Sequence, residues 1–180
     1  MRSIVIIAFL ALLIMPCIAE PDSTITGPYN ISFDLGLTKD AYKIEIDEPE
    51  SSETLGGAAK ETYSFWIKIN NTTAPISAMI NIYVGKQTVV PSSRRVSLNI
   101  EEIKSLGLSG VKGEARQIDG KDGVVCEGFK IISGEMERTY FVDYYLSNNE
   151  KVLIYSGIPW DEGTLQLIKT IHVEKINATT

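Results

Sequence analysis

The chain reads as an α+β protein: an antiparallel sheet of about seven or eight strands with two helices packed on one face. Three observations predict it. Apolar and polar residues alternate through most of the chain, as in half-buried strands. Only two stretches carry helical spacing. The strand patterns alternate rather than running continuously apolar, which favours antiparallel over parallel pairing.

The first strand pattern is YNISFDL, with Tyr29, Ile31, Phe33 and Leu35 inward and Asn30, Ser32 and Asp34 outward. YKIEID follows, with Tyr42, Ile44 and Ile46 inward, and the short Gly36 to Ala41 link suits an antiparallel pair of these two strands. Glu48 to Lys60 turns to Glu, Ser, Pro and Gly and reads as a solvated loop. ETYSFWIKI and ISAMINIYV, separated by Asn70 to Pro75, give two more strands. NIEEIKSLGL is the first helix, with Asn99 as cap, Ile103 and Leu106 as apolar stripe and Gly107 as stop. GEARQID and GVVCEGFKII flank a glycine-bearing turn from Asp119 to Gly123, and MERTYFVDYYLS and KVLIYSG make another hairpin. The second helix opens at Asp161, places Leu165, Leu167, Ile168 and Ile171 on one broad face, and gives way to extended chain over His172 to Lys175.

The N-terminus carries Arg2, an apolar run from Ile4 to Met15 and then Pro16-Cys17-Ile18-Ala19, the pattern of a secretory signal peptide over residues 1–19. Pro16 before Cys17 disfavours a lipidated cysteine, and it also interrupts the run short of the about 20 residues a spanning anchor needs. The expected product is a single α+β domain over residues 20–180, located in the exterior or at the cell surface. The chain has 17 Lys and Arg against 23 Asp and Glu and a formal net charge of −6. Losing Arg2 makes it more negative. Such a balance argues against a nucleic-acid partner and against electrostatic docking on anionic lipid, leaving the membrane relevant only through the signal segment.

Chemistry-bearing groups are sparse. Cys126 is the one cysteine beyond the signal segment and is expected to be buried, and His172 is the one histidine, expected to pack at the end of the last helix. A Cys126–His172 pair is the only nucleophile–base combination of that kind, and one His with one Cys falls short of a zinc site. The Asp119 loop fails as a calcium loop because Lys121 and Lys130 stand where ligands are needed. No cofactor is expected. The densest acidic stretch, Glu45, Asp47, Glu48, Glu50 and Glu53, lies on strand edge and loop. Its structural reading is a solvated face, and its functional alternative a carboxylate-dependent hydrolase. Sequons at Asn30, Asn70, Asn71 and Asn177 are glycosylation candidates.

Trp66, Tyr83, Phe141 and Tyr145 fall on outward positions, with Lys68, Asn81 and Asp143 between them. They would form an amphipathic sheet face suited to a protein or glycan partner; the alternative is that something covers them and they are a second layer of core. The pattern QIDGKDGVV, a strand hairpin and then YSGIPWDEGTLQLIKTIHVE resembles a group of uncharacterised exported proteins of methanogenic archaea. More distantly, the order of strands, short helix, meander and final helix resembles the PsbP/Mog1-like fold, shared by a photosystem accessory protein and a Ran-binding protein. The resemblance implies a binding or accessory role rather than catalysis and carries no site residues across. The expected function is an exported, non-catalytic binding or accessory protein of the cell surface, with a structural envelope component as a further alternative.

Overall fold

The computed structural model describes residues 21–51, 61–70, 78–86, 88–132, 134–157 and 161–176. The chain runs β1 (Asp22–Thr26), β2 (Tyr29–Phe33), a single 3-10 turn (Lys39–Ala41), β3 (Tyr42–Ile46), β4 (Glu61–Ile69), β5 (Ala78–Val84) and α1 (Ser92–Ser105). It continues with β6 (Ser109–Ile118), β7 (Lys121–Ile132), β8 (Glu135–Ser147), β9 (Glu150–Ser156), α2 (Asp161–Thr170) and β10 (His172–Lys175). The fold is α+β, as the alternation predicts. Seven strands form one antiparallel sheet in the order β3-β4-β5-β9-β8-β7-β6, and three form a smaller one in the order β1-β2-β10.

Two meanders build the large sheet. β3, β4 and β5 follow one another, as do β6 to β9, and β5 joins them by pairing with β9. α1 is the crossover from β5 at the seam to β6 at the far edge. The link expected to pair YNISF with YKIEI instead carries the chain from one sheet to the other. β2 takes β1 and β10 as neighbours, and β3 takes β4. Strand β1 lies within a lead-in whose Pro and Gly content masks it in the sequence.

The small sheet and α2 cover one face of the large sheet. Tyr29, Ile31 and Phe33 of β2 are fully buried against Phe65, Ile80, Val142 and Ile154. The rings of Phe33 and Phe65 stack with centroids 6.2 Å apart. Leu167, Ile168 and Ile171 of α2 join the same core, as the sequence pattern requires. Leu165 does not: it is 40% exposed, because helical spacing of three and four places Thr164, Leu167, Ile168 and Ile171 on one stripe and leaves position 165 beside it.

The two helices lie on opposite faces, not on one. Val96, Ile100 and Ile103 of α1 pack on Val124, Cys126 and Phe141, side chains that alternate with the Val125 and Val142 of the other core. Strands β7 and β8 are therefore buried on both sides, and a period of two does not say which helix covers which side. α1 also begins at Ser92, well before Asn99, so Asn99 is a buried mid-helix residue and not a cap. Leu106 ends the helix exposed. The approach of α1 to the edge strand β6 is close: a Cβ on Gly113 would lie 2.7 Å from Cys126 Sγ and 3.2 Å from Val96 Cγ1.

One buried ion pair fastens α1 to the sheet. Arg95 is 4% exposed and Asp143 0%, and their side chains pair directly. Arg95 Nε also donates to the Val90 carbonyl at 3.0 Å and Nη2 to the Asp122 carbonyl at 2.7 Å. Lys151 Nζ lies 3.1 Å from the second Asp143 oxygen, near enough for an ion pair though not aligned as a hydrogen bond. Replacing Asp143 by Ala strands Arg95 in a dry site, and we expect a loss of roughly 3–5 kcal/mol in urea unfolding. The paired change Arg95→Met with Asp143→Leu should recover most of it.

Carboxylates clasp the small sheet from its other ends. Glu150, at the start of β9, accepts hydrogen bonds from Tyr29 Oη at 2.8 Å, Ser147 Oγ at 2.8 Å and Lys175 Nζ at 2.6 Å. Burial pushes its pKa up, but those three donors outweigh burial and hold it below its ordinary value of 4.5. A carboxyl depressed by folding contributes stability above its unfolded pKa and loses it as pH falls through the folded one. Glu150→Gln should therefore cost about 1–2 kcal/mol at pH 7, discounted for the partly exposed Lys175, and should flatten the acid limb of a stability–pH curve below pH ~4.5.

Candidate functional site

Register places the four outward aromatics on a single face. One row across the sheet reads Trp66, Met79, Tyr155, Phe141, Cys126 and Gly113, and another reads Thr62, Tyr83, Lys151 and Tyr145. Alternation thus assigns the face correctly, but α1 divides it. Phe141 is buried at 5% exposure beneath the helix. Tyr145 belongs to the Arg95 anchor: the guanidinium lies 4.8 Å from its ring centroid, and its hydroxyl donates to the Thr88 carbonyl at 3.2 Å. Phe141 is thus the second layer of core that the sequence left open as the alternative, whereas Tyr145 stays half-buried at the margin of the helix, held by its contacts to Arg95 and Thr88.

Trp66 and Tyr83 stand on the half that α1 does not cover, partly exposed on β4 and β5. Asp47, just past β3, accepts the Trp66 indole N–H at 2.7 Å and so fixes the ring across the β3–β4 pair. Lys68 and Glu45 form an ion pair beside it. Asn81 is 6% exposed, and its Nδ2 donates to Tyr83 Oη at 3.3 Å, while its Oδ1 has no hydrogen-bond partner. The resulting patch has ring faces and the Met79 thioether at its centre with the Asn81 amide buried beneath them, Tyr155 toward the helix, and Lys68, Glu45 and Lys151 as polar fringe. Such a surface stacks on an apolar or amphipathic ligand and offers hydrogen bonds at its margin.

Sequence reasoning did not single out Met79, Tyr155 or Lys151 for this face, although each occupies an outward position of a strand that was recognised. Only the register, which places them beside Trp66 and Tyr83, reveals them. Three grooves of about 730, 330 and 350 Å³ lie elsewhere, around the exposed Leu165 of α2.

The other candidates are dispersed. Cys126 is buried beneath α1, and His172 opens β10 on the opposite side of the large sheet, so the two do not meet. His172 is not packed at a helix end: its side chain is 59% exposed and Nδ1 lies 2.6 Å from Asp119 Oδ1. The other Asp119 oxygen accepts the Val173 amide at 3.0 Å, tying the β6–β7 turn to β10. That turn is Asp119-Gly120, both at positive φ (52° and 66°), which is the two-residue hairpin geometry; Gly123 lies inside β7 rather than in the turn. Glu45, Asp47, Glu48 and Glu50 are exposed, and Glu53 lies outside the described residues. No group of three or more His, Cys, Asp or Glu among the described residues is placed to hold a metal, and none of their helices is long and apolar enough to cross a membrane. Asn30 faces outward on β2, and Asn70 donates its side-chain amide to the Asp40 carbonyl at 2.6 Å. Asn71, Asn177 and residues 1–19 lie outside the described residues.

No protein-family model matches the chain, and no curated protein matches it either. The assignment of function therefore depends on the geometry of this one molecule.

Burial pushes the Cys126 thiol up to about 11, with the Asp143 carboxylate adding to the effect. A neutral, covered thiol is a poor nucleophile. We expect Cys126 to resist an aromatic disulfide reagent at pH 8 in the native protein and to react fully once unfolded in denaturant.

Proposed function

We propose that this is an exported, non-catalytic binding or accessory protein of the cell surface, which holds a protein or glycan partner on the uncovered half of its large sheet. The observation that carries this reading is the patch of Trp66, Tyr83 and Met79 on β4 and β5, left open by α1 and bordered by polar groups. Aromatic side chains with little rotamer freedom, one of them pinned by Asp47, are efficient contact residues because little entropy is lost when they are covered. Export rests on the signal pattern of residues 1–19, and the resemblance to exported proteins of methanogenic archaea points the same way. Glycan addition at Asn30 would sit on the outer side of the small sheet, away from the aromatic patch.

The test begins with chemical crosslinking of the protein in its native envelope, identification of the partner, and calorimetry with the purified pair. Trp66→Ala and Tyr83→Ala should each weaken binding by roughly tenfold or more, the scale of a contact residue at the centre of an interface. Trp66→Ala should shift the unfolding midpoint little, whereas Tyr83→Ala also removes the acceptor of the buried Asn81 amide and should lower it, by about 1–3 kcal/mol of stability. Ile25→Ser, on the outer side of the small sheet, should leave affinity unchanged. Unaltered binding in both aromatic variants would place the partner elsewhere.

A further inference from the structure

We propose that the outer edge of β6 is a self-association surface, where a second copy of this chain pairs antiparallel with the first across a two-fold axis at Ala115. β6 is the terminal strand of the large sheet, and among the described residues no strand pairs with its outer side. It is long for an edge. From Lys112 to Ile118 it keeps a regular register with β7, and the irregularity lies only between Ser109 and Lys112. Exposed edges of that length normally carry a device against pairing, such as a charge or a proline. Here the charges alternate in sign along one face: Lys112, Glu114 and Arg116, exposed by 77%, 65% and 48% of their side chains.

The sign pattern selects the register. In an antiparallel pair related by a two-fold axis, opposite residues share a face and their numbers have a constant sum. An axis at Glu114 sets Glu114 against itself and Lys112 against Arg116, which is repulsive throughout. An axis at Ala115 sets Glu114 of each copy against Arg116 of the other, twice, with the small Ala115 side chains meeting on the opposite face. That register also keeps to the regularly paired part of the strand, whereas an axis at Gly113 would run into the irregular part. The Glu114–Arg116 contact within one strand, at 3.7 Å, becomes part of a four-charge square. On the same face, the grooves that flank Arg116 lead to Leu165, so this exposed leucine of each copy lies at the margin of the joint.

Sedimentation of the purified protein over about 1–300 µM, the range in which a small interface dissociates, should show a monomer–dimer equilibrium. Glu114→Arg and Arg116→Glu should each weaken it by roughly tenfold or more, since like charges then face each other across the axis. Mixed in equal amounts, the two variants should form a heterodimer, because each mismatch is complementary to the other. Both changes are on exposed side chains, and unchanged circular dichroism and unfolding midpoints check that the fold is kept. A wild-type chain that stays monomeric throughout the series overturns the proposal. So does a dimer indifferent to Arg116→Glu, or a mixture that fails to associate.

Discussion

The Arg95–Asp143 pair is the constraint on which the arrangement of the large sheet's second face depends. Two charges have left water there, and the cost is recovered only because Arg95 also reaches the Val90 and Asp122 carbonyls and Asp143 has Lys151 beside its second oxygen. Those partners come from the loop before α1, the start of β7 and the strand β9. The pair therefore fixes the helix's position along β8 as well as its distance from the sheet. Once α1 is held there, Phe141 and Cys126 must be interior and Trp66 and Tyr83 must be at the surface. A partly exposed aromatic patch and a core share one sheet face, and a single salt bridge draws the line between them.

On the other face, apolar burial supplies the bulk of the attachment and three carboxylates fix the alignment. Asp119 reaches β10 from the β6–β7 turn, and Glu150 reaches β2 and β10 from β9. Asp34 accepts a weak contact from Gln166 of α2, whose Thr170 also bonds the Asp34 backbone. Hydrophobic contact between two sheets is tolerant of sliding, whereas these bonds are met in a single arrangement. The acidic balance of the chain is thus used structurally, and the exposed acidic residues after β3 are a separate, solvated population.

Much of the architecture was legible because alternation is a local property. Each strand from YNISF to KVLIYS could be found, and the inward residues of the first four named, without knowing its neighbours, although Ile46, expected inward, is 50% exposed where β3 ends at the sheet edge. What could not be read is what depends on neighbours. Glycine and Asn patterns placed the turns, but nothing local says that β2 leaves β3 for a different sheet. Nor does anything local say that Val124 and Val125 each meet a core. The start of α1 was missed because Asn99-Ile100-Glu101-Glu102 looks like a capped beginning, while the real one, Ser92 after Pro91, has no side-chain cap and no acidic residue in its first turn. The candidate face was recovered as a face and misjudged in extent: Phe141 has the same alternation as Trp66 and Tyr83, and only the helix overhead buries it, while Tyr145 is half-buried and engaged by Arg95.

The two surfaces proposed for this molecule are compatible because of sheet geometry. β6 and β4 are five strand steps apart in the order of the large sheet. At the usual spacing that is about 24 Å. Successive strands also rotate by some 20–25°, so the normal to the sheet at Trp66 is turned by roughly 100–125° from the normal at Ala115. A second copy added at the β6 edge extends the sheet away from β4 and continues its twist. It cannot fold back over the aromatic patch without reversing that twist. The proposed partner site at Trp66 and the proposed pairing at Ala115 therefore draw on separate parts of one sheet, and a dimer would carry two patches that do not face a common plane. Such an assembly would join two partners approaching from different directions rather than grip one flat surface twice.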